Sequence, residues 1–248
     1  MMNSKTTKLA NIVGRVFGKS VRRFFRRVGT GFLTPLSFSV NSGHFKSSLS
    51  EKALSKSGKA IPWFTYPAID FLSTKDYSAS IVLEFGGGQS TKFWGDLSKK
   101  VITFEVDENW IQHIKSNAGS NVEIFPAPVE REKQKEYVQR ILLDLNEKFD
   151  IIVVDGMHRS LVLELSIPYL AADGMIICDN ADAECFGFYE AWQDTSGFMR
   201  VDFYGHAPGV FHPHSTSVLF RPSCKFFDNK NKIYNRAYEL NRMPYLNT

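Results

Sequence analysis

Two stretches of the 248-residue chain carry side chains whose types and spacing could do chemistry. The first is Gly86-Gly87-Gly88, which follows the β-rich run Ile81-Val82-Leu83-Glu84-Phe85 and precedes residues 91–97, a segment able to start a helix. Without Cβ atoms, such a backbone can come within hydrogen-bonding distance of a ligand at a helix N-terminus. Glu105 ends the next strand-like run, Val101-Ile102-Thr103-Phe104-Glu105, at a separation from which acidic residues reach ribose hydroxyls in dinucleotide-binding folds. Together these features fit an adenosine-containing cofactor; taken separately they are a tight turn and a solvated strand end. The second stretch is Asp155-Gly156-Met157-His158-Arg159, which follows the apolar run Ile151-Ile152-Val153-Val154. An imidazole, with an ordinary pKa of about 6.5, can take a proton from a hydroxyl near neutral pH, so His158 is a candidate general base. A structural or substrate-orienting histidine is the alternative.

Five strand-like runs position these residues, with helical patterns between them. They begin at Ile81, Val101, Val122, Phe149 and Met175, and their alternation with helices implies a parallel, right-handed, doubly wound sheet. Open sheets of this kind bind ligands at the carboxyl ends of their strands, where the glycine turn, Glu105 and His158 all fall. Residues 199–204 and 215–220 are separated only by a Pro- and Gly-punctuated loop, too short for a parallel crossover, and predict a closing antiparallel hairpin. That loop region carries His206, His212 and His214 with no carboxylate beside them in sequence, which suits substrate contact or a solvated loop better than a metal cluster. Trp63, Phe64 and Tyr66 read as a packed cover rather than a sugar-stacking platform.

Charge divides the chain. Residues 1–50 hold nine basic and no acidic side chains, while the remainder carries 21 basic against 26 acidic ones, so the body is no nucleic-acid binder. Leu9, Ile12, Val13, Val16, Phe17, Val21, Phe24 and Val28 recur at helical spacing, opposite Lys8, Arg15, Lys19, Arg22 and Arg26. An amphipathic helix over residues 5–28 suits an anionic membrane surface; an organelle transit peptide or a helix docked on the domain are the alternatives. The Ser-, Gly- and Lys-rich residues 41–60 mark a boundary, giving an N-terminal extension and linker (1–60), a catalytic domain (61–221) and a polar tail (222–248). No apolar run approaches the roughly 20 residues of a membrane span. Three cysteines, Cys178, Cys185 and Cys224, have no metal-ligand spacing and point to a reducing compartment, so a cytoplasmic protein, peripheral at most, is expected.

Over roughly residues 78–221 the chain resembles the class I S-adenosylmethionine-dependent methyltransferases. Val82-Leu83-Glu84-Phe85-Gly86-Gly87-Gly88-Gln89-Ser90 is similar to their first motif, and Glu105 to their ribose-binding acid. Residues 150–155 and 170–180 resemble their fourth strand, pre-strand turn and fifth strand. The resemblance implies a Rossmann-like α/β fold, mostly parallel and closed by an antiparallel hairpin, with the basic helical extension outside it. It also implies S-adenosylmethionine as cofactor. Glu84, Gly86 and Gly88 would line its amino-acid part, Glu105 its ribose and Ala127 or Pro128 its adenine, with Ser90 and Asp155 also at the cofactor. Glu84 would meet either the ammonium or only a backbone amide.

Some O-methyltransferases of this class place a base at the spacing of His158 and hold a divalent metal with residues matching Asp155, Asp179 and Asn180. That implies Mg²⁺, with Asp155 and Asp179 joining His158 in the catalytic set; the competing reading of Asp-Asn is a turn and helix cap. Methyl transfer to a hydroxyl of a small or membrane-linked acceptor, such as a sugar or glycan, is the expected activity. Aminopropyltransferases share the triple-glycine turn and the acid, but usually continue from the fourth strand into a Ser- and Asp-rich loop. A noncatalytic, membrane-docked binding module is the alternative from a different class.

Overall fold

The computed structural model describes residues 4–193 and 197–227; the side chains of residues 4–19 and of residue 22 also lie outside the described set. Apolar runs buried on both faces make the sheet. Its strands are β1 (Ile81–Phe85), β2 (Lys100–Glu105), β3 (Val122–Pro126), β4 (Phe149–Val154), β5 (Leu170–Cys178), β6 (Met199–Gly205) and β7 (His214–Phe220). Their order is β3-β2-β1-β4-β5-β7-β6. The first five are mutually parallel, and β7 lies antiparallel to both β5 and β6. The fold is therefore a mostly parallel mixed sheet of Rossmann-like type with helices flanking it, and the hairpin expected from the short 205–214 loop is present. Because β6 runs in the direction of β5, its exit loop emerges at the carboxyl edge.

Alternation of side chains splits the core into two layers. Val82, Val101, Ile151, Val153, Met175, Ile177 and Val218 face one side. Leu83, Ile102, Ile152, Val154, Ile176 and Leu219 face the other. The helices that cover these faces are α3 (Tyr66–Leu72), α4 (Gln89–Leu97), α5 (Glu108–Asn117), α6 (Arg131–Leu145), α7 (Arg159–Ser166) and α8 (Phe188–Gln193). Asp107 starts α5, its carboxylate accepting from the Trp110 amide at 2.9 Å. Phe64 is fully buried and Tyr66 nearly so, with Trp63 packed against the same layer, which places that aromatic trio in the cover.

Ahead of the sheet, α1 (Ser4–Ser42) runs as one helix through Pro35, followed by α2 (His44–Ser50). The expected amphipathic face from Leu9 to Phe17 lies outside the described side chains; further along, Phe24, Phe25, Phe32 and Leu36 are exposed. The Ser-rich segment is helical, its hydroxyls bonding back to the carbonyls four residues earlier, Ser47 to Gly43, Ser48 to His44 and Ser50 to Lys46, and contacts with the rest of the chain hold it. This segment packs on the body. Ala53 is fully buried, the Gly209 amide donates to His44 Nδ1 at 3.3 Å, and the His44 and His206 rings lie 6.3 Å apart. Residues 228–248 of the expected polar tail lie outside the described set.

Candidate functional site

The order β2-β1-β4 makes the carboxyl end between β1 and β4 the point where the winding of the sheet reverses. Gly86 leaves β1 with φ +92° directly against Gly156, which leaves β4. A Cβ on Gly86 would stand 2.6 Å from the Gly156 nitrogen, so only glycine permits this approach. Gly88 is closed off differently. A Cβ there would lie 3.1 Å from Trp110 Nε1, and that indole donates to the Gly87 carbonyl while its ring stacks on His113.

Below the turn, Glu84 is fully buried in the middle of the sheet. The Thr91 hydroxyl donates to its Oε2 and itself accepts from the Gly88 amide at 2.8 Å, tying the carboxylate to the turn. Burial pushes Glu84 up to about 7, against the pull of the Thr91, Ser90 and Thr103 hydroxyls, and the charge of Glu105 adds to the rise. Its Oε1 has no hydrogen-bond partner among the described residues. Ser90 is buried and turned to Glu84. Glu105 is oriented by its own chain, Oε1 accepting the Val106 and Asp107 amides at 2.8 and 2.9 Å. Those bonds leave Oε2 for a ligand.

Beside Gly86 and Glu105, and not lined by Glu84, lies a cavity of about 20 Å³ whose walls include Gln134, Gly156 and Met157. Sequence reasoning missed Gln134, which sits on a charged helix but is nearly fully buried, with an Oε1 that lacks a partner among the described residues. Ala127, expected with Pro128 near the adenine, packs in the core next to this edge, and its amide donates to the Glu105 carbonyl at 2.7 Å. A larger groove of about 190 Å³ runs along the outer side of the glycine turn, between Lys52, Leu54, Gly88, Lys92 and His113.

At the β4 exit, His158 caps α7 in the left-handed region, with φ 52°. Its Nε2 is 2.9 Å from the Val129 carbonyl, an oxygen that only accepts, so Nε2 donates this bond and Nδ1 is the ring nitrogen left to other contacts. Asn180, past the end of β5, is also left-handed with φ 49°. Asp155 is pushed well above the usual carboxylate range by burial first and then by the neighbouring Asp179 charge, with Arg159 opposing and Glu84 adding. The histidines of the hairpin separate. His206 faces His44, whereas His214 starts β7 with Nε2 3.4 Å from Asp179 Oδ2. Burial draws the His214 pKa down, but bonding to Asp179 and the charges of Asp179 and Asp182 outweigh it, and the net direction is up.

The expected metal set is corrected here. Asp179 Oδ1 accepts the Thr216 hydroxyl at 2.6 Å and its Oδ2 faces His214, so this carboxylate points toward β7. Between Asp155 and Asn180 stands the guanidinium of Arg159, 3.0 Å from Asp155 Oδ1 and 3.1 Å from Asn180 Oδ1. A cation already fills the space, and Asp155, Asp179 and Asn180 do not fit Mg²⁺. Among the described residues no three His, Cys, Asp or Glu side chains are grouped to hold a metal.

No family model and no curated protein matches the chain. Among solved structures it is similar to a precorrin-6y C5,15-methyltransferase of Geobacter metallireducens, with 14% identity, 69% of this chain and 94% of that one covered, and a TM-score of 0.49. It is also similar to an rRNA methylase of Streptococcus thermophilus, with 19% identity, 62% and 96% coverage and a TM-score of 0.45. A precorrin 8w decarboxylase of Methanobacterium thermoautotrophicum is 15% identical, with 68% and 95% coverage and a TM-score of 0.44.

Glu84 sets a pH dependence. Its pKa in the folded chain lies above the ordinary 4.5, so between pH 4.5 and about 7 the native state holds a proton that the unfolded chain has released. Stability from this group is therefore lost as pH rises through that window, by at most about 3 kcal/mol. Glu84→Gln should gain on the wild type in urea unfolding as pH is raised from 4.5 to 7. A difference that stays constant with pH would contradict the assignment.

Proposed function

We propose that the chain is an S-adenosylmethionine-dependent methyltransferase acting on a hydroxyl of a small or membrane-linked acceptor, a sugar being one such class. The observation that carries this reading is the pair of acceptors Glu105 and Gln134 in the cavity beside Gly86, with Glu84 buried beneath the same turn and tied to it through Thr91. Gln134 Oε1 and Glu84 Oε1 are buried without a hydrogen-bond partner among the described residues, and buried acceptors need donors. The ammonium, ribose hydroxyls and adenine amino group of that cofactor are donors, so the residues present fit it. When bound, it supplies a methyl group activated by a positively charged sulfur.

The chain's own residues do the rest. Glu105, fixed by two backbone amides, holds the ribose; Glu84 faces the cationic amino-acid end, where a positive charge would draw its pKa back down. The 20 Å³ cavity holds a water but not a nucleoside, so Met157, which is 42% exposed and unbranched, swings aside on binding. His158 serves as general base through Nδ1, its tautomer set by Val129 and its position by the left-handed cap. Asp155 and Asp179 shape the acceptor side of the edge.

The exposed apolar side chains of α1, Phe24, Phe25, Phe32 and Leu36, together with Arg23, Arg26 and Arg27, support docking of the extension on an anionic membrane surface. Among the described residues no helix is long and apolar enough to cross a membrane. The full chain should co-sediment with phosphatidylserine vesicles at low salt and be released by high salt, and Phe24→Glu with Phe32→Glu should abolish the binding. Sedimentation unchanged in that double variant would remove the membrane role.

Titration calorimetry of the full chain with S-adenosylmethionine tests the cofactor. Glu105→Ala should weaken binding about 10- to 100-fold, the value of a pair of charge-assisted hydrogen bonds. His158→Gln should leave that affinity intact and lower kcat by about 10²–10⁴ with any hydroxyl acceptor that turns over. Equal affinity in the first variant, or equal kcat in the second, would count against the assigned role.

A further inference from the structure

We propose that Arg159 is a built-in cation that takes the place of a divalent metal, and that the acceptor side of the site works without one. The guanidinium has five N–H groups in a fixed planar fork, and five oxygens surround it, four through hydrogen bonds and one as an ion-pair partner. Nε donates to the Gly156 carbonyl at 3.1 Å. Nη1 donates to the Asp179 carbonyl and to Asn180 Oδ1. Nη2 donates to the Asp155 carbonyl at 3.1 Å and pairs with Asp155 Oδ1 at 3.0 Å. The ring of Phe186 covers the guanidinium at 4.0 Å, and Arg159 is 8% exposed.

Five oxygens around one guanidinium, all acceptors and one of them a carboxylate's, are of the kind that a hard divalent cation takes as ligands. Here they come from both the β4 exit and the β5 exit, so whichever cation fills the cage also fixes the distance between the two loops. Arg159 does this with a side chain that starts α7 directly after His158. It is therefore a positioning residue: it holds Asp155 and the turn at Asn180 and touches neither cofactor nor acceptor. Its charge also offsets that of Asp155, which Asp179 and burial destabilise.

The inference takes its location from the proposed site, but its test does not depend on methyl transfer. Mn²⁺ is the probe, followed by electron paramagnetic resonance and by the thermal midpoint of the full-length chain. Wild type and Arg159→Lys should bind no Mn²⁺ at the cage and keep an unchanged midpoint. Arg159→Ala should have a lower midpoint, take up Mn²⁺ at least about tenfold more tightly than wild type, and recover part of the midpoint with the metal. That gain should vanish when Asp155→Asn is added. Wild-type Mn²⁺ binding that Asp155→Asn abolishes would overturn the proposal, as would a folded Arg159→Ala chain that ignores the metal. If Arg159→Ala does not fold, Arg159→Ser carries the same two outcomes, and the wild-type arm decides independently. Failure here would leave the nucleoside titration untouched, and the converse also holds.

Discussion

Carboxylates gathered at one edge of an apolar sheet set the terms for everything around them. Glu84 is fully buried, Asp179 nearly so and Asp155 largely so, and each would be costly to ionise alone. The fold answers each differently. Glu84 receives a threonine hydroxyl and stays poised near neutrality; Asp179 is held by Thr216 and His214; Asp155 receives a guanidinium. The glycine turn, the Gly86–Gly156 contact and the left-handed caps at His158 and Asn180 are the backbone conditions under which these groups can stand so close together. Perturbed carboxylates grouped at the carboxyl edge of a sheet are the pattern on which the proposed function rests.

Much of this frame was legible in the sequence because its signals are local. The runs at Ile81, Val101 and Phe149 are too apolar for anything but buried strands, and the 205–214 loop is too short for a crossover. Glu84 declares itself by preceding the glycine turn, and Glu105 by ending the next strand-like run. What the sequence hid depends on partners far along the chain. Arg159 looks like a helix-start residue until its hydrogen bonds to residues 20 and 21 positions away are seen. Gln134 belongs to a helix rich in charge, and only the packing of α6 buries it. His214 reads as part of a loop, but the β5–β7 pairing delivers it to Asp179. The stretch after residue 41 has the composition of a linker, yet its serines satisfy a helix backbone, and it docks against the hairpin loop at Gly209.

That docking joins the N-terminal extension to the hairpin loop at the carboxyl edge. His44, Phe38 and Tyr66 form one aromatic group with His206, and the Tyr66 amide donates to the His206 carbonyl at 2.8 Å. The loop that emerges beside Asp179 is thus braced by the same segment that leads into α1. A short run of packed residues thus links the N-terminal segment to the hairpin loop, and the His44 pKa is drawn down by burial and by the charge of His206.

The proposed seat of an S-adenosyl nucleoside beside Gly86 is open to a crystal structure of the full chain grown with S-adenosylhomocysteine. The ribose should lie on Glu105 and the amino-acid end on the Glu84 side of the turn, with Met157 displaced from the cavity. A nucleoside seated instead in the groove beside Lys52 and His113, or a Glu105 unchanged and unliganded at saturating nucleoside, would contradict it.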